Sequence, residues 1–192
     1  MQGEELILRP VEEVCDRTLQ SFDCGVIELN TFLSAESKLY AQHGITFTTV
    51  VFRSSDPDLI VGYFSLSADA IRFNLTEQGD LGLPFHAPIL FYPAVKITKL
   101  AVNSAFQSQG IGAKLIDLIE GLAFDGPTAV RLLNVNAVNN PRTIKFYERC
   151  RFMASLDAEQ RKKNQPRNKR RDPEDETVLM HRDIYADPQH IC

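Results

Sequence analysis

The residues best placed to do chemistry are Gln107-Ser108-Gln109-Gly110-Ile111-Gly112-Ala113. An apolar stretch ending in Lys99-Leu100-Ala101-Val102 leads into them. Behind them, Ile111, Leu115, Leu118, Ile119 and Leu122 recur at helical spacing. A strand, a glycine-bearing turn and a helix in that order bring several backbone N–H groups to one point, where the positive end of a helix dipole also lies. Such a point binds phosphate. Glycine contributes by accepting left-handed angles and by letting an anion approach the main chain closely.

Other candidates are weaker. Cys15, Cys24, Cys150 and Cys192 match no zinc or CxxC spacing and read as reduced thiols. His43, His86, His181 and His190 are scattered without ligand spacing, so no metal is expected. The net charge of -4 argues against general attraction to nucleic acid. Residues 161–171, however, are densely basic, and the acidic Asp172-Pro173-Glu174-Asp175-Glu176 follows at once. This segment reads either as a solvated loop or as a local polyanion contact.

The elements that must position the turn follow from patterning. Leu6-Ile7-Leu8 reads as a short strand closed by Pro10, and a first helix as covering part of residues 11–19. Asp23 is placed to cap a second helix whose core face is Val26, Leu29, Phe32, Leu33 and Tyr40. Residues 45–53 and 59–73 read as an antiparallel hairpin. Residues 74–93, interrupted by Gly79, Gly82, Pro84, Pro88 and Pro93, read as irregular, with Phe85, His86, Phe91 and Tyr92 available to wall a substrate site. Strands are expected at 95–103, 130–135 and 177–184, with helices after Gly110 and from Pro141 to about Arg149. The mixed order indicates an α/β or α+β sheet protein. At 192 residues and 44% hydrophobic content, one domain with a sizeable core is expected over 1–192, with a charged insertion at about 157–176. No apolar run reaches the roughly 20 residues of a membrane span, and the first residues lack signal-peptide character, so a cytoplasmic protein is expected.

The turn at 107–112, with Tyr147 in Asn140-Pro141-Arg142-Thr143-Ile144-Lys145-Phe146-Tyr147, resembles the Q/R-x-x-G-x-G/A unit and tyrosine of GNAT-type acetyltransferases. The resemblance implies a mixed, mostly antiparallel sheet with splayed central strands flanked by helices, and acetyl-CoA as co-substrate. It implies that the 107–113 turn holds the pyrophosphate and that main-chain groups of Leu100, Ala101 and Val102 lie beside the thioester. Asn140 matches a cofactor-contacting position, and it also suits a helix N-cap. Tyr147 matches the tyrosine that protonates or hydrogen-bonds the leaving thiolate; as a residue beside Phe146 it also suits plain packing.

A narrower resemblance adds detail. Arg9-Pro10, Ser21-Phe22-Asp23-Cys24-Gly25-Val26-Ile27-Glu28-Leu29-Asn30-Thr31-Phe32-Leu33 and Val61-Gly62-Tyr63-Phe64-Ser65-Leu66-Ser67 are similar to the toxin-type branch of that family. It implies acetylation of the α-amine of aminoacyl-tRNA, a ribbon-helix-helix antitoxin as partner, and compatibility with a homodimer. Two departures stand out: Cys150-Arg151-Phe152 where the branch commonly has Gly before Phe, and the long charged insertion. An α-amine, with a pKa near 8, is partly neutral at pH 7, whereas a lysine amine near 10.4 needs a stronger base. No base stands out in the sequence, which favours an α-amine. Lys96, Lys99, Arg142, Lys145 and Arg149 could add phosphate contacts for RNA. The alternatives are the same chemistry on a small-molecule or protein amine, or a non-catalytic acyl-CoA-binding module.

Overall fold

The computed structural model describes residues 5–164 and 177–186. Seven strands form one mixed, mostly antiparallel sheet in the order β1-β2-β3-β4-β5-β7-β6. The strands are β1 Leu6–Pro10, β2 Phe47–Arg53, β3 Asp56–Arg72, β4 Phe91–Val102, β5 Leu132–Val138, β6 Met153–Ala154 and β7 Thr177–Asp183. The helices are α1 Asp16–Gln20, α2 Ile27–Thr31, α3 Ser37–Gln42, α4 Leu75–Asp80, α5 Ile111–Phe124, α6 Pro141–Arg149 and α7 Leu156–Asn164. Two compact units divide these elements. The first comprises Met1–Ser67 with Ile97–Leu118, and the second Ala68–Lys96 with Ile119–Cys192.

In the first unit, β1 and β2 pair antiparallel from Leu6↔Arg53 to Pro10↔Thr49, and β2 pairs antiparallel with β3. The β-branched and aromatic residues Val50, Val51 and Phe52 are buried, as the strand pattern requires. Val50 and Phe52 share a core with Leu19, Phe22, Phe32, Leu33 and Tyr63. The ring of Tyr63 stacks on Phe32 at 6.3 Å, and its hydroxyl donates to the Leu29 carbonyl at 2.8 Å.

The single helix expected over the Val26–Tyr40 stripe is instead α2, a π-helical turn at Phe32–Glu36, and α3. The hydroxyls of Ser34 and Ser37 donate back to the carbonyls of Asn30 and Leu33, a local competition that loosens the ladder. The widened turn buries two consecutive residues, Phe32 and Leu33. Val26, expected in the core, is exposed. Asp23 does not cap α2; its carboxylate accepts from Gly25 N and Asn30 Nδ2 and closes the preceding turn.

In the second unit, Ile71, Phe73, Leu81, Tyr92, Ala94 and Leu132 form the core. Residues 74–93, expected to be irregular, contain α4, and the reason is local. Asn74 accepts from Glu77 N while Glu77 accepts from Asn74 N, a capping box within an Asn-x-x-Glu sequence. The charged insertion is likewise not a loop where it is described. It opens as α7, whose first turn is capped by the same buried Glu77. That carboxylate accepts from Leu156 N at 2.8 Å, Asp157 N at 3.2 Å and Ser155 Oγ at 3.1 Å. Residues 165–176, which hold the rest of the basic run and the acidic run, lie outside the described residues, as do His190 and Cys192.

The β4–β5 ladder is parallel and short: Ala94↔Leu132, Val95↔Leu133 and Lys96↔Asn134. β4 continues as a strand to Val102 and β5 to Val138. On α5, Ile111, Leu115 and Ile119 are buried as expected, but Leu122 is 48% exposed and Ile116 takes an interior place. No described helix is long and apolar enough to cross a membrane.

Candidate cofactor loop and catalytic tyrosine

The glycine-bearing turn lies in the first unit. Ahead of it, β3 and β4 approach closely at Gly62: a Cβ there would fall 2.7 Å from the Ala101 carbonyl oxygen. Only glycine admits that approach, which explains Gly62 in the Val61-Gly62-Tyr63 stretch. Asn103 then ties the end of β4 to β3, its Nδ2 donating to Ile60 O at 3.1 Å and its backbone N–H to Val61 O at 2.9 Å.

Gln107 anchors the turn from within. Its Nε2 donates to Cys24 O at 2.9 Å and to Val102 O at 3.0 Å. The side chain is therefore occupied in holding the loop, which leaves its main chain for a ligand. Gln109 Nε2 similarly holds Ala105 O at 3.1 Å.

The turn itself has left-handed backbone at Ser108 (φ 62°) and Gly110 (φ 81°). Alternation of this kind curls successive N–H groups toward one side, the geometry of an anion nest. The first hydrogen bond of α5 runs from Lys114 N to Gly110 O at 3.2 Å. The N–H groups of Ile111, Gly112 and Ala113 precede it, and a helix start leaves such donors open. Ser108, Gln109 and Gly110 are exposed. These features fit a pyrophosphate: open main-chain donors, a helix N-terminus and nothing within 4 Å of where a Cβ would stand at Gly110.

Tyr147 lies in the second unit, on α6. Asn140 caps this helix, its Oδ1 accepting from Thr143 N at 2.8 Å, with Pro141 in the first turn. The N-cap role is therefore realised for Asn140; among the described residues its Nδ2 makes no hydrogen bond. Tyr147 is only 7% exposed, packed edge-on against Phe146 and Phe152 with ring centroids 5.0 Å and 5.3 Å away. Burial drives its phenol well above the usual tyrosine range, with Cys150 adding a smaller push in the same direction. Among the described residues its hydroxyl has no hydrogen-bond partner. A buried phenol left open in this way keeps its proton at neutral pH and can donate it to a ligand.

α6 ends in a Schellman turn. Phe152 N donates to Tyr147 O at 3.0 Å and Arg151 N to Glu148 O at 2.9 Å, while Arg151 itself is left-handed (φ 64°). The turn that departs from the family pattern thus keeps its shape with arginine in place of glycine.

Glu148, Lys145 and Arg149 are exposed, and Lys99 sits 5.3 Å over the Phe32 ring. Tyr92 is buried beside Phe73, whereas Phe85 and Phe91 are exposed. The structure also brings together a group missed in the sequence: Asn134 Nδ2 donates to Asp69 Oδ2 at 2.8 Å, and Lys96 Nζ lies 4.0 Å from that oxygen. A signal for it was present. Asn134 and Asn136 alternate with apolar residues in β5, so two amides fall on one face of an otherwise apolar strand. Among the described residues no cluster of His, Cys, Asp or Glu could hold a metal ion.

A family model for the acetyltransferase (GNAT) family matches residues 41–152, more than half of the chain. The chain belongs to the acetyltransferase (GNAT) family, whose members use acetyl-CoA. Among solved structures it is similar to AtaT complexed with acetyl-methionyl-tRNAfMet, with TM-score 0.67 and 21% identity over 92% of this chain and 94% of that one. It is similar to a tyrosine-to-phenylalanine mutant of KacT, with TM-score 0.66 and 20% identity over 95% and 97% of the two chains. A third match is a structure of AtaTR bound with acetyl-CoA, with TM-score 0.65 and 21% identity over 91% and 92%.

Proposed function

We propose that this acetyltransferase acts on the α-amine of an aminoacyl-tRNA, as the toxin of a toxin–antitoxin pair whose partner is a ribbon-helix-helix protein. The observation that carries the transfer chemistry is Tyr147, a largely buried tyrosine whose hydroxyl makes no hydrogen bond among the described residues. Its protonated state suits a donor to the sulfur that leaves. The fold likeness to AtaT and KacT and the N-terminal resemblance from Arg9 onward support the acceptor class. One domain over 1–192, a cytoplasmic location and a homodimer belong to the same reading.

Acetyl-CoA, when bound, supplies an activated thioester. Open N–H groups of residues 107–113 hold the pyrophosphate, Gln107 keeps the loop shaped, and main-chain groups of Leu100, Ala101 and Val102 serve the acyl end, with Asn140 Nδ2 as a further contact. In the exchange an amide C–N bond forms, the C–S bond breaks, the amine nitrogen gives up one proton to water, and Tyr147 gives a hydrogen bond or proton to the departing sulfur. Phenol and thiol ordinarily differ by about 1.5 pKa units, so full proton transfer is uphill by about 2 kcal/mol, and more once burial raises the phenol. Hydrogen-bond donation is therefore the larger part of its role.

The test is transfer of labelled acetyl from acetyl-CoA to a mixture of charged tRNAs, with Tyr147→Phe as control. Label on the aminoacyl group that Tyr147→Phe reduces 10²-fold or more supports the reading. Absence of label on any charged tRNA, with acetyl-CoA bound normally, overturns the acceptor assignment.

A further inference from the structure

A cavity of about 320 Å³ in the second unit lies outside the machinery described above. Asp69, Arg72, Phe91, Lys96, Asn134 and Arg161 are among the residues lining it. Its size, near the lower end for ligand pockets, suits one compact ligand rather than an extended chain.

Its polar groups are built in rather than scattered. Asp157 is mostly buried and shared by two guanidinium groups, Arg72 at 3.7 Å and Arg161 at 2.7 Å, both through Nε. Two cations on one carboxylate leave an excess of positive charge, and among the described residues the terminal amino groups of both arginines have no partner. Asp69 is the opposite case. Its Oδ2 accepts from Asn134 Nδ2 with Lys96 nearby, and its Oδ1 accepts from Ala70 N at 2.8 Å. Asn134, which fixes it, is 1% exposed and has no partner for its own Oδ1 among the described residues. The cavity lining thus combines a fixed carboxylate with two guanidinium groups, and Phe91, 57% exposed, is a further lining residue.

Each feature selects a chemical group. Guanidinium forks match phosphate oxygens in bidentate fashion. A fixed carboxylate accepts from ribose hydroxyls. An exposed aromatic ring carries a nucleobase by stacking, with little preference among bases. We propose that this cavity binds a single ribonucleotide unit, with phosphate on Arg72 and Arg161, ribose on Asp69 and base against Phe91. α7 completes it, because that helix supplies Arg161 and Asp157. The charged insertion thereby gains a role beyond that of a solvated segment. The unit could come from a free mononucleotide or from the 3′ end of an RNA. The site does not require that the acetyl acceptor be aminoacyl-tRNA, although an RNA source would join the two.

Adenosine monophosphate is titrated into the protein by calorimetry, with saturating CoA present to occupy the 107–113 loop. The expected result is one-site binding, weakened about tenfold or more in Arg72→Gln with Arg161→Gln, and weaker for the 2′-deoxy nucleotide than for the ribonucleotide. Asp69→Asn should narrow that ribose preference. Both arginines are about half exposed, but the double variant leaves the buried Asp157 without its cations, so thermal melts of each variant, with Asp69→Asn as the variant that keeps both arginines, separate lost binding from lost fold. The side-chain amide signals of Asn134 should also shift on addition of nucleotide. If a short oligoribonucleotide displaces the mononucleotide, the source is an RNA end; if it does not, the site serves free nucleotide. No binding to the native protein, or equal binding to the double arginine variant, overturns the proposal. Acetyl transfer to charged tRNA is read separately, so its failure leaves the nucleotide titration unaffected.

Discussion

The two units of this molecule treat buried polarity differently. In the first, the buried polar residues among those described are Ser37, Thr46, Thr48, Thr49, Ser65 and Asn103, all uncharged. In the second they include Glu77, Glu120, Asp157, His181 and Arg182. The first unit accordingly builds its candidate phosphate loop from main-chain donors held by an amide, Gln107. The second lines its cavity with Asp69, Arg72, Lys96 and Arg161, and the buried Asp157 pairs with both arginines. A main-chain site tolerates side-chain substitution as long as the backbone path survives. A side-chain network fails when one member is removed, because the partner is left charged in a poor solvent.

The largest expected effect tests that contrast directly. Arg182 and Glu120 form a hydrogen-bonded ion pair, each nearly inaccessible to solvent. Arg182→Leu should destabilise by about 3–5 kcal/mol, since Glu120 remains buried without its cation. The double variant Glu120→Leu with Arg182→Leu should recover most of that loss. Urea denaturation of the three proteins measures it. A double variant as unstable as the single one would mean that shape, not charge, governs the site.

Glu77 comes next. Its carboxylate serves four donors, and Gln at this position offers one oxygen in place of two. Glu77→Gln should cost about 2 kcal/mol, because buried N–H groups at the start of α7 lose their acceptor. Hydrogen exchange should show the loss first in α4 and in the first turn of α7. Uniform loss across the molecule would contradict a local capping role.

Acid should also separate the units. Burial lowers the His181 pKa below its ordinary value, more than Glu77, Asp183 and Asp80 raise it. Because the folded state binds this proton less readily than the unfolded chain, the neutral imidazole's contribution is complete above about pH 6.5 and is lost as pH falls below it. His181→Gln should flatten stability against pH between about 7 and 5. An unchanged slope would remove His181 from the account.

Much of this was legible in the sequence, and the failures have physical causes. The strand–turn–helix around Gly110 and the Pro141 helix could be read because their signals are local: periodicity, a glycine that must be left-handed, a capped proline start. Periodicity predicts a single helix over Val26–Tyr40 because it does not register the π turn at Phe32–Glu36. α4 is masked in the sequence because Gly79 and the prolines after it outweigh the Asn74–Glu77 box. α7 was hidden for a different reason. Its start depends on Glu77, far away in sequence, and no local pattern records a cap supplied by another element. Asp69, Lys96 and Asn134 were invisible as a group on the same ground, although the alternating amides of β5 marked the face.

A smaller effect tests the backbone-borne side of the contrast. Gln107→Ala removes two hydrogen bonds, to Cys24 O and Val102 O, but leaves every loop N–H in place. Stability should fall by about 1–2 kcal/mol. Acetyl-CoA affinity should fall severalfold by calorimetry, through a looser loop. Complete loss of binding would show that the side chain itself touches the ligand.

The smallest expected effect is a gain. Arg151 holds the left-handed position of the Schellman turn after α6, a conformation costing an L residue with a side chain roughly 1–2 kcal/mol. Glycine avoids that cost but has more freedom to lose on folding, by about 0.4–1 kcal/mol. Arg151→Gly should therefore stabilise by about 0.5–1 kcal/mol, less whatever its side chain now contributes through its own interactions. The Phe152 N to Tyr147 O bond that closes the turn should be retained, so turnover should not change. A thermal melt shifted upward by a few degrees with unaltered kinetics is the expected result. A downward shift would mean that the arginine side chain holds the end of α6 more firmly than its backbone strains it, extending the second unit's reliance on charged side chains to the element that carries Tyr147.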